Sequence, residues 1–217
     1  MLGDILLDIY RWLFDHFGPQ GWWPAEDPFE VCLGAILTQN TNWGNVKRAI
    51  ENLKRENLLS PRALREISVE SLASLIRPSG YYNVKARRVK NFVSFLTDRY
   101  EGDINNLRKE DPLELRRKLL SIKGLGPETT DSILLYALDL PFFVVDAYTH
   151  RILCRHGLIP EVISYDELQE IFHQNLVRDV PLYKEFHALF VACGKTYCKK
   201  QSPRCDDCPL STLDQKF

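Results

Sequence analysis

Ser121-Ile122-Lys123-Gly124-Leu125-Gly126-Pro127-Glu128-Thr129-Thr130 is the stretch on which the reading of this chain turns. A helix ending near Leu120 meets a Gly-x-Gly turn, and Pro127 stands where a new helix begins, since a first helical position does not need its N–H. Glycine lets backbone approach another surface closely, and the free N–H groups of the turn and of the next helix N-terminus form an anion site. This pattern predicts a helix-hairpin-helix, which grips a DNA phosphate through backbone donors and needs no large positive charge. A Gly-x-Gly on its own reads more readily as a plain turn between helices.

Outward from the hairpin, the apolar spacing is helical. Ile5, Ile9, Leu13 and Phe17 recur every fourth residue with Trp12 beside them, which predicts an amphipathic helix over 4–17 closed by Gly18-Pro19. Further helices are expected over 28–39, 43–57, 68–76 and 83–100. Asp111-Pro112-Leu113-Glu114 supplies an N-cap, a proline at the first position and an acid in the first turn. Ser164-Tyr165-Asp166-Glu167 fits a capping box opening a helix to about 177, and another is expected over 181–196. Only the short apolar run Pro141 to Val145 hints at a strand, so the expected fold class is all-α. No repeat or linker separates beads on a string. The apolar face of the first helix and the helical C-terminal third suggest that the chain ends pack together, leaving the middle as a second helical lobe and a cleft as the natural site.

Of 217 residues, 45% are hydrophobic and 26% charged, and 28 basic against 29 acidic residues leave a net charge of -1. Those figures exclude disorder, a small disulfide-stapled scaffold and a polycation that coats nucleic acid, while permitting a local basic face. Apolar runs stop far short of the roughly 18 residues that a membrane span needs. Met1-Leu2-Gly3-Asp4 lacks the basic region of a signal peptide, so a cytoplasmic protein without a membrane partner is expected. Cys32 and Cys154 read as buried structural thiols. Cys193, Cys198, Cys205 and Cys208 crowd together near the C-terminus, and in a cytosolic chain such a cluster binds metal more often than it forms bridges.

Nineteen residues after Pro127, Asp146 closes an apolar run and opens the next helix. A carboxylate there can be a plain N-cap. In company with a DNA-gripping hairpin, it can instead stabilise the oxocarbenium-like sugar that develops as a base leaves, or activate the attacking water.

Leu37-Thr38-Gln39-Asn40-Thr41, Gly80-Tyr81-Tyr82-Asn83-Val84-Lys85-Ala86, the hairpin, Asp146 and the cysteine cluster form an ordered set spanning nearly the whole chain. In that set the sequence resembles the helix-hairpin-helix DNA glycosylases of the endonuclease III superfamily. The resemblance implies a six-helix barrel domain over 25–138 that includes the hairpin. It also implies a second helical domain from 1–24 plus 139–217, formed by both termini and carrying an iron–sulfur loop. The two flank a cleft into which a damaged base is flipped out of double-stranded DNA. By position Asp146 looks like the family's catalytic aspartate, and the protein is expected to act as a monomer. Bifunctional members carry a lysine two residues after the second hairpin glycine, whose amine forms a Schiff base leading to strand cleavage. Here that position is Glu128, so a monofunctional enzyme using water is expected, without AP lyase activity. Lys123 precedes the hairpin and would have to be repositioned to replace the amine.

The Trp22-Trp23-Pro24 element, Trp43 and Glu128 look most like the base pocket of the small 3-methyladenine DNA glycosylases. Indole faces suit a cationic alkylated purine through stacking and cation–π attraction. Tryptophan more commonly fills a core, although two adjacent ones cannot both enter the same core from one helix or strand. Gln39 and Tyr81 occupy the positions at which family members wedge side chains into the duplex. Lys85, Arg87, Arg88 and Lys90 make a phosphate rail or a solvated helix face, and Gly124 and Gly126 bring the hairpin backbone to the DNA. Cys198-x6-Cys205-x2-Cys208 matches the family's iron–sulfur loop, with Asp214 where a fourth cysteine is expected. An Asp-ligated [4Fe–4S] cluster is the leading reading; a three-iron cluster, a zinc site and a loop without metal compete with it. Cys193 is discounted because ligation would take it off its helix. Lys195, Lys199, Lys200 and Arg204 suggest a second phosphate-binding surface. The function expected is excision of alkylated purines. The alternatives are a mismatch thymine/uracil glycosylase and a non-catalytic module that senses damaged DNA, in which Asp146 only caps a helix.

Overall fold

The computed structural model describes residues 1–25 and 27–213. Helices run in the order α1 (Leu2–Phe17), α2 (Pro28–Leu37), α3 (Trp43–Arg55), α4 (Pro61–Glu66), α5 (Val69–Leu75), a 3-10 turn (Arg77–Ser79), α6 (Tyr82–Tyr100), α7 (Ile104–Leu107), α8 (Pro112–Leu120) and α9 (Pro127–Ser132). A π turn (Ile133–Ala137) extends α9, and α10 (Ala147–Arg155), α11 (Tyr165–Asn175) and α12 (Val180–Thr196) complete the chain. Among the described residues there is no strand, and no helix is long and apolar enough to cross a membrane. The all-α expectation holds. Starts are set by side-chain oxygens: Asp27, Asn42, Ser60, Ser68, Asp111, Asp146, Ser164 and Asp179 each accept from an N–H of the turn they open. Two short elements, α4 and α7, were not anticipated, because six and four residues give no periodicity to read.

The chain divides into two compact units, Met1–Trp22 with Pro141–Phe217, and Trp23–Leu140. In the first unit, Leu6, Ile9 and Leu13 of α1 are buried, as the four-residue spacing requires. Its core is aromatic: Phe143 stacks on Phe172 with centroids 3.8 Å apart, and Phe186 on Phe190 at 4.6 Å. The run Pro141 to Val145 is extended but pairs with no strand. Side chains of α11 take the place of a neighbouring strand, with Gln169 Nε2 donating to the Phe143 carbonyl at 2.6 Å and His173 Nε2 accepting from the Phe143 N–H at 3.0 Å. That satisfies a buried backbone that would otherwise lose its hydrogen bonds.

In the second unit α2 is buried from Phe29 to Leu37, with Glu30 paired to Lys54 at 3.0 Å, and it forms the centre against which α3, α6 and α9 pack. Arg116 of α8 holds Asp131 of α9 in a two-pronged pair at 2.7 and 3.0 Å, with the carboxylate fully buried. This pair fixes the angle between the two helices of the hairpin.

Back in the first unit, α10 and α12 cross closely at Gly194. A Cβ built there would stand 2.2 Å from Cδ1 and 2.8 Å from Cβ of Tyr148. Gly194→Ala therefore forces the helices apart, and a loss of about 1–3 kcal/mol is expected in chemical denaturation, as for other overpacked cores.

Candidate active site and nucleic-acid interface

The hairpin lies in the second unit. Ile122 N–H closes back on Leu119 and Leu125 N–H on Ile122, making a tight turn between α8 and α9. Gly124 has φ +102°, and a Cβ there would sit 2.4 Å from Cγ of Arg88, so both the backbone and the neighbour demand glycine. Gly126 is the N-cap of α9, with no side-chain cap and with open space where a Cβ would stand. A turn whose cap is supplied by no side chain leaves its N-terminal donors open to water or to a ligand.

Two of the expected DNA-binding residues, Gln39 and Arg88, converge on this turn. Gln39 Nε2 donates to Gly124 O at 3.2 Å and to Thr129 Oγ1 at 2.8 Å, and Arg88 Nη1 donates to Gln39 Oε1. Tyr81 stands apart at the tip of the loop before α6, 71% exposed, in the left-handed region at φ 45° after Gly80 at φ 69°. Arg87 is exposed. Lys85 corrects the expectation of a phosphate rail: it is 1% exposed, and its Nζ donates to the carbonyls of Leu37 at 2.8 Å and Ser79 at 2.6 Å. Lys90 likewise turns back to the carbonyls of Leu64, Arg65 and Ile67 at the end of α4. A signal for Lys85 was present, since it precedes the buried stripe Val89, Phe92 and Leu96 by four, seven and eleven residues.

The two adjacent tryptophans belong to different units. Trp23 meets Trp43 edge to face at 5.4 Å and Tyr136 at 5.2 Å, and Gly34 of α2 leaves room for its indole nitrogen. Tyr136 was missed; it sits in the π turn, within an apolar run that reads only as core. Trp22 instead packs against His187 at 5.9 Å, with Lys195 Nζ 5.8 Å above its ring. Pro24 and Glu128 are exposed, Glu128 on the first turn of α9. Lys123 is exposed in the turn, where its carbonyl accepts from Asn91.

In the first unit Asp146 caps α10. Its Oδ1 accepts from Tyr148 N–H at 2.9 Å, Thr149 N–H at 2.8 Å and Thr149 Oγ1 at 3.0 Å, while Oδ2 lies 3.7 Å from His187 Nε2. Burial alone would push this carboxyl's pKa up. The nearby His187 and the donors of Thr149 outweigh burial and hold it below the ordinary carboxylate value. Asp146 is therefore an anion near neutrality. His187, on the buried side of α12, was not singled out in the sequence, where a histidine amid Phe186, Ala188 and Leu189 looks like packing.

Cys193, Cys198, Cys205 and Cys208 line one cavity of about 160 Å³ in the same unit. The expectation for Cys193 is corrected: it reaches this cavity from within α12, with its sulfur 3.9 Å from that of Cys208. Cys154, expected in the interior, is half-buried, whereas Cys32 is fully buried. The hydrogen bond from Cys193 lowers the Cys208 thiol to about 7, and the same contact together with burial raises Cys193. Two arginines of α10 support the loop: Arg151 Nε donates to Cys198 O at 2.7 Å and Arg155 Nη1 to Cys198 Sγ at 3.4 Å. Among the described residues no three His, Cys, Asp or Glu side chains converge closely enough for a single metal ion. The 3.9 Å between the Cys193 and Cys208 sulfurs is close to the roughly 3.8 Å that a tetrahedral zinc imposes, given Zn–S near 2.3 Å. Four thiols round one cavity are donors that either an iron–sulfur cluster or zinc would accept. Asp214 lies outside the described residues. Of the basic residues nearby, Lys199 and Lys200 are exposed, while Arg204 is engaged by Asp207 at 2.8 Å.

Residues 33–177 match the family described as HhH-GPD superfamily base excision DNA repair protein. The chain belongs to the HhH-GPD superfamily. This HhH-GPD protein is 51% identical over 209 residues to a putative DNA repair glycosylase of Methanocaldococcus jannaschii, covering 95% of this chain and 94% of the relative. It is 30% identical to a thymine/uracil-DNA glycosylase of Pyrobaculum aerophilum, covering 94% and 86% of the two chains. The crystal structure of H. pylori 3-methyladenine DNA glycosylase (MagIII) bound to 1,N6-ethenoadenine superposes with a TM-score of 0.76 and 31% identity, over 89% of this chain and 96% of that one. The Gly124–Gly126 turn, with its open cap, lies within the matched residues of this HhH-GPD protein.

The depressed pKa of Asp146 has a measurable consequence. Its stabilising contribution is complete above the unfolded value of about 3.9 and is lost as pH falls through the lower folded value. Asp146→Asn removes that dependence, so its stability measured against pH should run flatter than the parent's below about pH 4.

Proposed function

We propose that the protein is a monofunctional DNA glycosylase that removes alkylated purines of the 3-methyladenine type from double-stranded DNA. The observation that carries the single activity is Glu128, exposed on the first turn of α9. It stands where the lyase members of the family place their Schiff-base lysine, and a carboxylate forms no imine. Water then attacks the anomeric carbon, and the base leaves with the electrons of the glycosidic bond. Asp146, held ionised, stabilises the positive sugar and accepts the proton that the water loses. Gln39, Tyr81, Arg87 and Arg88 contact the DNA, and Gly124 and Gly126 present backbone donors to a phosphate.

The edge-to-face group of Trp23, Trp43 and Tyr136 supports a cationic base, since a ring face attracts positive charge and a purine is large enough to stack. The likeness to the H. pylori 3-methyladenine enzyme supports the same choice. A second reading, removal of uracil or mismatched thymine, is favoured by the Pyrobaculum relative. Free-base release from methylated duplexes and from duplexes with G·U or G·T pairs separates the two, and release from the mismatches alone would transfer the assignment to the second reading. Asp146→Asn should lower the single-turnover rate by 100-fold or more, about 2.7 kcal/mol of transition-state stabilisation. An unchanged rate would leave Asp146 as a cap only. Borohydride should trap no covalent adduct with DNA.

We further propose that the cysteine loop carries a [4Fe–4S] cluster held by Cys198, Cys205, Cys208 and either Cys193 or Asp214. Bound there, the cluster would fix the loop and its lysines for phosphate contact and take no part in bond breaking. Iron, sulfide and zinc analysis of protein purified without air tests this. Four irons per chain are expected, with one lost in whichever of Cys193→Ala and Asp214→Ala removes the fourth ligand; zinc in place of iron counts against a cluster.

A further inference from the structure

We infer that Lys85 is a positioning residue that fastens the two DNA-reading loops of the second unit into one rigid head. Its ammonium joins the carbonyl of Leu37 to that of Ser79. Leu37 is the last residue of α2, two residues before Gln39, and Ser79 is the last of the 3-10 turn, two residues before Tyr81. One buried cation therefore sits immediately ahead of both side chains proposed to enter the duplex.

Each loop holds a non-glycine residue in the left-handed region, Asn40 at φ 53° and Tyr81 at φ 45°. Such backbone relaxes unless its surroundings fix it. The lysine supplies the fixing point: its positive charge answers the carbonyl at the negative end of α2, where that helix has run out of donors. Its backbone N–H also closes the first turn of α6 onto Tyr81 O at 3.0 Å. Burying an ammonium is unfavourable, and burial lowers the Lys85 pKa to about 8. An apolar side chain of similar length would avoid that cost but leave the Leu37 and Ser79 carbonyls without the donor that ties them together.

The inference rests on the glycosylase reading, and it is tested by comparing one damaged base in two settings. Single-turnover release is measured from a fully paired duplex, where the wedge must replace the extruded base, and from the same lesion unpaired in a bubble. Lys85→Met should slow release from the duplex by tenfold or more and from the bubble by less than threefold. Tyr81→Ala should show the same selectivity, and the double variant should be no slower than the slower single one. Assays are run well below each variant's thermal midpoint, with Lys85→Gln as the substitute if Lys85→Met does not fold. Equal losses on both substrates, no loss at all, or independent additive losses with Tyr81→Ala would overturn the inference. A parent protein that releases no base from either substrate would sink the glycosylase reading itself, and this inference with it.

Discussion

An α-helix ends in N–H and carbonyl groups that its own ladder leaves unpaired, and the settling of those ends shapes both the fold and the chemistry of this chain. At N-termini the partners are short oxygens such as Asp27, Ser60 and Asp179. At C-termini they are buried or half-buried ammonium groups, with Lys85 on α2 and Lys90 on α4. Where a chain segment crosses the core without a strand partner, Gln169 and His173 supply the missing donor and acceptor. Side-chain caps are missing at α6, whose N-cap is Tyr81, and at α9, whose N-cap is a glycine with nothing over it. On the proposed function, the open end of α9 is where the hairpin would meet a phosphate.

That economy explains how a chain of net charge -1 can bind DNA. Two of the four cations between residues 85 and 90 are spent inside the protein, so the basic run overstates the positive surface. What remains is Arg87, Arg88 and the backbone dipoles of the hairpin. Arg88 is not a free cation either, because it binds Gln39 and lies across Gly124. On the proposed function, the grip would depend on placing few charges at a shaped turn, unlike the broad positive field of a nonspecific DNA coat.

Much of this was legible before any coordinates. The hairpin, the cap at Asp146, the capping box at Ser164 and the long amphipathic helices follow from local chemistry, since each is written within four or five consecutive residues or a fixed period. What escaped depends on contacts between residues far apart in the chain. Tyr136 reaches Trp23 only because a π turn rotates it, His187 reaches Asp146 from a helix forty residues on, and Cys193 faces Cys208 across a loop. Lys85 lay between these cases: its helical spacing placed it on the buried stripe, but nothing local revealed that two carbonyls waited there.

On the proposed function, Asp146 would serve fold and reaction without conflict. A cap needs an acceptor aimed along the helix axis, and Oδ1 provides it to Tyr148 and Thr149. The donors that satisfy the cap also stabilise the charge, so the helix itself helps keep the buried carboxylate ionised. Oδ2 takes no part in the cap and points toward His187 at 3.7 Å, too far for a strong hydrogen bond. One oxygen is thus committed to holding α10, and on the proposed function the other would offer negative charge to a developing cation. The division requires a side chain with two equivalent acceptors on a short stem: serine and threonine cap well but carry no charge, and glutamate carries the charge on a stem too long to cap in this way. Aspartate is the residue that meets both demands at a helix N-cap.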